Sequence, residues 1–172
     1  MIVFLIILVN ASVTAEGISS NPSEQVHFSA EEPGVKKPAV IPDDVLAALR
    51  RDKLVRNVLK SENIPEQKLP STWFSASAIH LGGTKKMDLI VVGEPPIAGG
   101  NTVPFWVFRA TPRGYELALT APAHDLIVRN TRFNKYREIE MMGETGVEFS
   151  SVSYRFDGER YIAYRERSGD IH

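Results

Sequence analysis

Cysteine is absent from the 172-residue sequence. Disulfides, thiolate nucleophiles and zinc sites built on sulfur are therefore excluded, so the hydrophobic core alone must hold the fold. A charge surplus is absent too, because 20 Lys and Arg residues stand against 21 Asp and Glu residues. That balance gives no support for a nucleic-acid partner.

The motifs of familiar catalytic sites are also missing, among them GxSxG, HExxH, GxGxxG and the P-loop. The histidines are His27, His80, His124 and His172. Of these, His80 and His124 fall within the strand-rich region, where Asp88 and Asp125 would lie near them if the two halves of the domain approach each other. Two histidines at strand ends are the simpler interpretation. The sequence therefore assigns no catalytic residue, no metal ligand and no cofactor.

The longest apolar run near the start, Ile2–Val9, is too short for a membrane span, which needs roughly 20 residues. Val13 and Ala15 stand where a signal peptidase expects small residues before Glu16. The pattern predicts an export signal over residues 1–15, removal of that signal, and a periplasmic or extracellular protein with no membrane span. A buried N-terminal strand is the alternative, since the run has no preceding Lys or Arg.

Residues 16–41 are rich in Ser, Pro, Glu and Gly and poor in large apolar side chains. Such composition is typical of a flexible tether, with a recognition tail as the alternative. A single β-rich domain is predicted over residues 42–172. It begins with one amphipathic helix over residues 43–61, which Asp43 caps and Pro65 follows.

From Trp73 onward the apolar period changes to two, which predicts short strands joined by tight turns. The predicted strands are Ala76–Leu81, Met87–Gly93, Val103–Ala110, Tyr115–Thr120, Asp125–Arg129, Tyr136–Met142, Val147–Phe156 and Tyr161–Tyr164. The fold class is therefore mainly β, on the borderline of α+β. It is an antiparallel meander with one N-terminal helix packed on the sheet.

Two of these strands are apolar on both faces. In PFWVF, Phe105 and Val107 share one face, while Trp106 and Phe108 share the other. Strands of this kind lie inside a sheet that is covered on both sides, and the predicted helix is the available cover. In the next strand Tyr115, Leu117 and Leu119 are expected to point inward, with polar residues between them, which places that strand nearer an edge.

The strand pattern repeats. The first four strands align with the last four at a spacing of about 47 residues, within the range of propeller blades. This alignment sets Trp106 opposite Tyr154. Two four-stranded units cannot close a propeller. They would pack on each other or pair with a second chain, so a homodimer is one state that the sequence allows.

The segment IHLGGTKKMDLIVVG, residues 79–93, resembles the strand–turn–strand of FG-GAP repeats, in which an acidic loop before a DLIV strand binds calcium. Asp88 to Val91 match that strand, but Gly82 to Lys86 lack the acidic ligands, so the resemblance does not imply a calcium site here. Over residues 43–165 a helix is followed in order by WFSAS, DLIVV, PFWVFR, GYELALT and YRFDGERY. In this order the chain is similar to small exported bacterial β-rich proteins. That resemblance implies export and a β-rich fold and brings no activity.

Two surface features are candidate binding elements. The first is the loop Glu94 to Asn101, in which Gly99, Gly100 and Asn101 permit unusual backbone conformations on a rigid scaffold. The second is a basic row, Arg129, Arg132 and Lys135 with Arg137, which could meet an anionic partner such as a cell-wall polymer. A plain crossover and a mixed solvated sheet face are the simpler interpretations.

These observations favour an exported, non-enzymatic binding protein whose partner is another envelope or secreted protein, in the manner of an inhibitor or immunity protein. A glycan or cell-wall binding module is the first alternative. It would use four aromatic residues if they are exposed: Trp73, Tyr136, Tyr161 and Tyr164. An unrecognised hydrolase is the second alternative, and it would need a deep pocket that holds His80 or His124 with a carboxylate.

Overall fold

The computed structural model describes residues 24–32, 34–82 and 85–170, so the predicted export signal over residues 1–15 lies outside the described residues. The described chain is mainly β. Its helices are α1 (Asp43–Leu49) and α2 (Lys53–Ser61). Its strands are β1 (His27–Ser29), β2 (Phe74–Ile79), β3 (Asp88–Gly93), β4 (Val103–Thr111), β5 (Gly114–Ala123), β6 (Asp125–Phe133), β7 (Tyr136–Glu144), β8 (Glu148–Phe156) and β9 (Tyr161–Asp170).

The strands form two antiparallel sheets, and all eight predicted strands are present. The four-stranded sheet has the order β2-β3-β4-β5, and the five-stranded sheet has the order β1-β6-β7-β8-β9. Each sheet is therefore a meander of four consecutive strands, and the second adds the short β1 at its edge. Neither helix in the described part of the chain has the length and apolar character of a membrane span.

The four-stranded sheet lies in the middle of three layers, as the two-faced strands predict. Phe105 and Val107 are fully buried in a core shared with the five-stranded sheet. Trp106 and Phe108 are fully buried in a second core shared with α1 and α2. The predicted helical cover over the central strands is confirmed, and the opposite face is covered by the second meander.

The predicted helix over residues 43–61 is divided into two. Helix α1 ends at Leu49, and Asp52 has an extended backbone with ψ 137°. The Asp52 carboxylate accepts hydrogen bonds from the backbone N–H groups of Leu54 and Val55, at 2.8 and 3.2 Å, and so caps α2. The apolar positions keep their period across the break because Val45, Leu49, Val55 and Leu59 all reach the same core.

Asp52 also binds the sheet. Its second carboxylate oxygen accepts a hydrogen bond of 3.0 Å from the indole N–H of Trp106, whose side chain is otherwise enclosed by the helix-side core. One carboxylate therefore begins α2 and satisfies the polar atom of the largest buried side chain.

Helix α1 is held in a similar way by Asp44. Its carboxylate accepts a hydrogen bond of 2.8 Å from the backbone N–H of Tyr115, at the start of β5. The preceding residue, Gly114, has φ +128°, and a side chain there would also collide with Asp44. The β4–β5 turn therefore needs glycine for its backbone and for the approach of α1.

The described part of the predicted tether is packed on the domain, which corrects the prediction for residues 24–32 and 34–41. His27–Ser29 forms β1 on β6, and Phe28 is buried in the core between the sheets. Pro38 forms an isolated bridge with Ser77. The burial of Phe28 and the backbone hydrogen bonds between β1 and β6 offset the conformational entropy lost when this segment is ordered, although its composition alone suggests disorder.

A β-bulge changes the inward face of β5. Phe108 pairs with Leu117 and Val107 pairs with Leu119, so Ala118 is the extra residue. As a result Ala118 and Leu119 both enter the core between the sheets, while Leu117 is 45% exposed. The expectation that Leu117 points into the core is therefore wrong, because the bulge interrupts strict alternation.

The two meanders share their pairing register. Leu89 pairs with Phe108 in the central sheet, and Ile139 pairs with Tyr154 in the other. The bulge recurs as well, since Ser153 pairs with Arg165 and Tyr154 pairs with Ala163 around Tyr164. The counterpart of Tyr154 is thus Phe108 and not Trp106. The helix-facing side of the central sheet corresponds to the inner side of the five-stranded sheet.

The far face of the five-stranded sheet carries charged and polar side chains beside the apolar Ile127, which pairs with Glu140. Glu140 lies between the core residues Ile139 and Met141 and so points away from the core. Its cross-strand row continues through Ser153 to Arg165, and Glu140 forms an ion pair with Arg129. This face is therefore suited to water.

We predict that Asp52→Ala lowers the free energy of unfolding by about 2–4 kcal/mol, because it removes a helix cap and leaves the buried Trp106 N–H unpaired. Asp43→Ala is the matched control, because Asp43 is also acidic and lies in a first helical turn without capping the helix through its side chain. Urea unfolding followed by tryptophan fluorescence measures both. Equal losses for the two variants would contradict the assigned role of Asp52.

Candidate functional site

The two ends of the stacked sheets differ in character. One end, here called the loop end, carries residues 94–102, the β7–β8 connection at residues 145–147, and residues 30–32 after β1. The other, the turn end, carries the tight β4–β5, β6–β7 and β8–β9 turns. The predicted binding loop lies at the loop end.

The foot of this loop is firmly anchored. Glu94 accepts a hydrogen bond of 2.6 Å from the Ser75 hydroxyl, and its backbone N–H donates to the Trp73 carbonyl at 2.8 Å. Ile97 is buried in the helix-side core. Glu94 is therefore part of the anchor, and a binding role for it stays a prediction.

The tip of the loop is exposed to solvent. Gly99, Gly100 and Asn101 are exposed, and a side chain added at Gly99 or Gly100 would meet nothing within 4 Å. Gly100 has φ +63°, and Gly99 and Thr102 form an isolated bridge that closes the turn. The loop thus presents an exposed turn on an ordered base, and the binding role of Gly99, Gly100 and Asn101 stays a prediction.

A hollow lies beside this tip. It has a volume of about 250 Å³, and its lining includes Asn101, His124, Glu31 and Glu144. A second hollow, of about 190 Å³, adjoins it and shares Gly100 and Ala30. Both volumes fall below the roughly 300–1,000 Å³ typical of small-molecule sites.

His124 joins the hollow to a carboxylate, Asp125, that is shared by two histidines. Asp125 Oδ2 lies 2.9 Å from Nδ1 of His124, and Oδ1 lies 2.9 Å from Nε2 of His27. His124 is buried, whereas His27 is exposed. The contact between His27 and Asp125 also joins β1 to β6.

This arrangement shifts two pKa values. The hydrogen bond with Asp125 raises the pKa of His124 against the opposing effect of burial, and the negative charges of Glu144 and Glu31 raise it further. Burial opposes ionisation of Asp125, but hydrogen bonds from His124, Ser29 and His27 together lower its pKa. Both shifts favour the charged forms of the pair, imidazolium and carboxylate, over the neutral forms.

His80 does not join His124. His80 lies at the turn end, where its Nδ1 contacts the Glu24 carboxylate. Asp88 is also near the turn end, where it accepts hydrogen bonds from the buried N–H groups of Ala110 and Leu81 at 2.8 and 3.0 Å. The composite site of His80 and His124 with Asp88 and Asp125 is therefore not assembled. The described residues contain no group of three or more His, Asp or Glu side chains suited to a metal ion.

Most side chains of the predicted basic row are engaged in contacts within the domain. Arg129 forms an ion pair with Glu140, and Arg132 donates to the backbone carbonyls of Leu81 and Lys135 at 3.1 and 2.9 Å. Arg137 is buried and lies 3.6 Å from the Glu24 carboxylate. Arg129, Arg132 and Lys135 therefore do not form one free cationic patch, because two of them secure the β6–β7 hairpin.

The aromatic side chains considered for glycan stacking are mostly enclosed. Trp73, Tyr136 and Tyr161 are buried, and Tyr164 is half-buried.

Sequence reasoning missed two elements of the loop end. Glu31 lies in the predicted tether, and the exposed Thr145 and Gly146 belong to a connection with no motif of its own. The only available signal was a small-residue turn between two strands.

No protein-family model, no curated protein and no solved structure matches the chain. The local resemblance of residues 79–93 to FG-GAP repeats therefore stays a prediction.

The pair of His124 and Asp125 predicts a pH-dependent stability. The pKa of His124 is raised in the folded state, so protonated His124 adds to the free energy of unfolding. This contribution is fully present below the unperturbed pKa of about 6.5 and is lost as the pH rises through the folded pKa. The loss of stability in His124→Gln should therefore be larger at about pH 5.5 than at about pH 8.5. Urea unfolding at both pH values measures this loss of stability. Asp125→Asn should remove the same dependence of stability on pH, because it removes the partner of His124. Parallel pH profiles of wild type and His124→Gln would contradict the pairing.

Proposed function

We propose that the protein binds another protein through the loop end, as an exported inhibitor or immunity protein does. The observation that supports this proposal best is the combination of an exposed Gly99–Asn101 turn with an anchored foot. A protruding segment that is ordered before binding loses less conformational entropy on association, which favours affinity.

The surroundings of the turn extend the binding face. Val147 is 68% exposed in the neighbouring connection, and Glu31 and Glu144 give this end negative charge. An exposed apolar residue among acidic ones is suited to a partner surface that carries basic groups around an apolar patch. The hollow lined by His124 is small, which favours contact with a protein side chain over a bound substrate.

The alternatives have less support. Glycan modules stack sugars on exposed aromatic rings, and three of the four candidate rings here are buried. A hydrolase would need His80 or His124 in a deep pocket with a carboxylate. His124 has its carboxylate, but the hollow beside it measures only about 250 Å³.

The test uses the purified protein as bait against the envelope fraction of its own cells, with mass spectrometry of what is retained. Gly99→Arg and Gly146→Arg place bulk on the binding face, and neither glycine has a close neighbour to disturb. We expect a partner that wild type retains and both variants lose.

The matched control is Glu159→Arg, an exposed change in the β8–β9 turn at the opposite end. It should retain the same partner. A partner that survives both glycine changes, or one that is lost equally with Glu159→Arg, would refute binding through the loop end.

We also propose export, on the sequence pattern before Glu16. Mass spectrometry of the protein isolated from its own cells should then place the N-terminus at Glu16. Intact Met1 on the accumulated protein would overturn this proposal without affecting the binding face, since that face lies entirely within the described domain.

A further inference from the structure

A separate groove runs along α2, on the outer side of the helical layer and distinct from the loop end. Its volume is about 760 Å³. One wall is the exposed side of α2, and the other is the segment of Ile64, Pro65 and Glu66 that follows the helix. Leu59 contributes to the floor from the helix-side core.

The helix wall is strongly cationic. Arg51, Lys53, Arg56 and Lys60 all line it, and all four are exposed. The groove's own carboxylate, Glu66, is engaged by Arg56 at 3.0 Å. Among the described residues, no carboxylate forms an ion pair with Arg51, Lys53 or Lys60. In a chain with a net charge of −1, this is a local concentration of positive charge.

The opposite wall is different in character. Ile64 and Pro65 present apolar surface to the groove, and Pro65 has no backbone N–H to offer a ligand. A ligand that fills the groove would therefore place negative groups toward α2 and apolar groups toward Ile64 and Pro65.

The spacing of the cations fits an extended polypeptide. Arg56 and Lys60 are four residues apart, which is about 6 Å along a helix axis. Alternate side chains of an extended chain point to the same side at intervals of about 6.7 Å. An extended segment in which acidic and apolar residues alternate would thus match both walls at once.

The shape argues against a lipid surface. A bilayer is flat over the length of α2, whereas these cations border a concave groove. The helix offers one exposed large apolar side chain, Leu54, at 40% exposure, whereas an interfacial helix inserts a continuous apolar face.

We propose that this groove binds an extended acidic polypeptide segment of a partner protein, with carboxylates on Lys53, Arg56 and Lys60 and apolar side chains against Ile64 and Pro65. Binding displaces Glu66 from Arg56. Because exposed charges carry the recognition, the affinity falls as the salt concentration rises.

The probe is a fluorescein-labelled peptide of alternating glutamate and leucine, about six residues long, which spans roughly 20 Å when extended. Fluorescence anisotropy with the wild-type protein should show saturable, salt-sensitive binding. The variant Lys53→Glu/Lys60→Glu should weaken it by about tenfold or more. Peptides of alternating lysine and leucine, and of glutamate alone, should bind less well.

The matched control is Arg113→Glu/Lys135→Glu, which makes the same change in net charge at exposed turn-end positions. It should bind the probe as wild type does, and thermal melts should show that both double variants are folded. An equal loss in the control, a glutamate-only peptide that binds as tightly, or a preference for anionic phosphatidylglycerol vesicles over the peptide would each overturn the proposal. Since the probe assay involves no loop-end residue, its outcome is independent of the glycine variants.

Discussion

The burial of β3 and β4 on both faces is the constraint on which the other layers depend. With no cysteine to join segments, a sheet that is apolar on both sides is stable only when both sides are covered. The second meander covers one side, and α1 and α2 cover the other. The helices are short, and their attachment relies on buried apolar contacts together with Asp52 and Asp44, which reach backbone and indole N–H groups.

The same constraint orders the loop end. The connection between β3 and β4 must leave one fully buried strand and enter another, so its foot is drawn into the helix-side core at Ile97. Only the tip remains in water. The edge strand β1 and the pair of Asp125 and His124 close the neighbouring surface. The proposed binding face thus results from the connection between the two central strands. Because both ends of this connection are buried, the glycine-rich turn between them is held in one position.

Much of the fold could be predicted from the period of the apolar residues. The eight predicted strands and the opposite faces of Phe105 and Trp106 follow from alternation, and the helical cover follows from the helical spacing of the apolar residues. The remaining features depend on tertiary contacts. At the helix break Asp52 accepts a hydrogen bond from the buried indole of Trp106, and the bulge at Ala118 shifts Leu117 out of the core. The pairing of Arg137 with Glu24, and of His27 with Asp125, joins residues too distant in sequence for any local pattern to reveal.

Because the two meanders share their register, the two sheets are stacked in the same orientation. Corresponding faces of the two sheets point the same way. The helices cover this face of the central sheet, and the central sheet covers the same face of the five-stranded sheet. A stack of this kind could in principle continue by adding further sheets to the outer face of the last one. The charges of Glu140 and Arg165 oppose that, because stacking a sheet there would strip water from charged groups. The described domain thus consists of two meanders in the same orientation, with helices on one outer side and a charged row on the other.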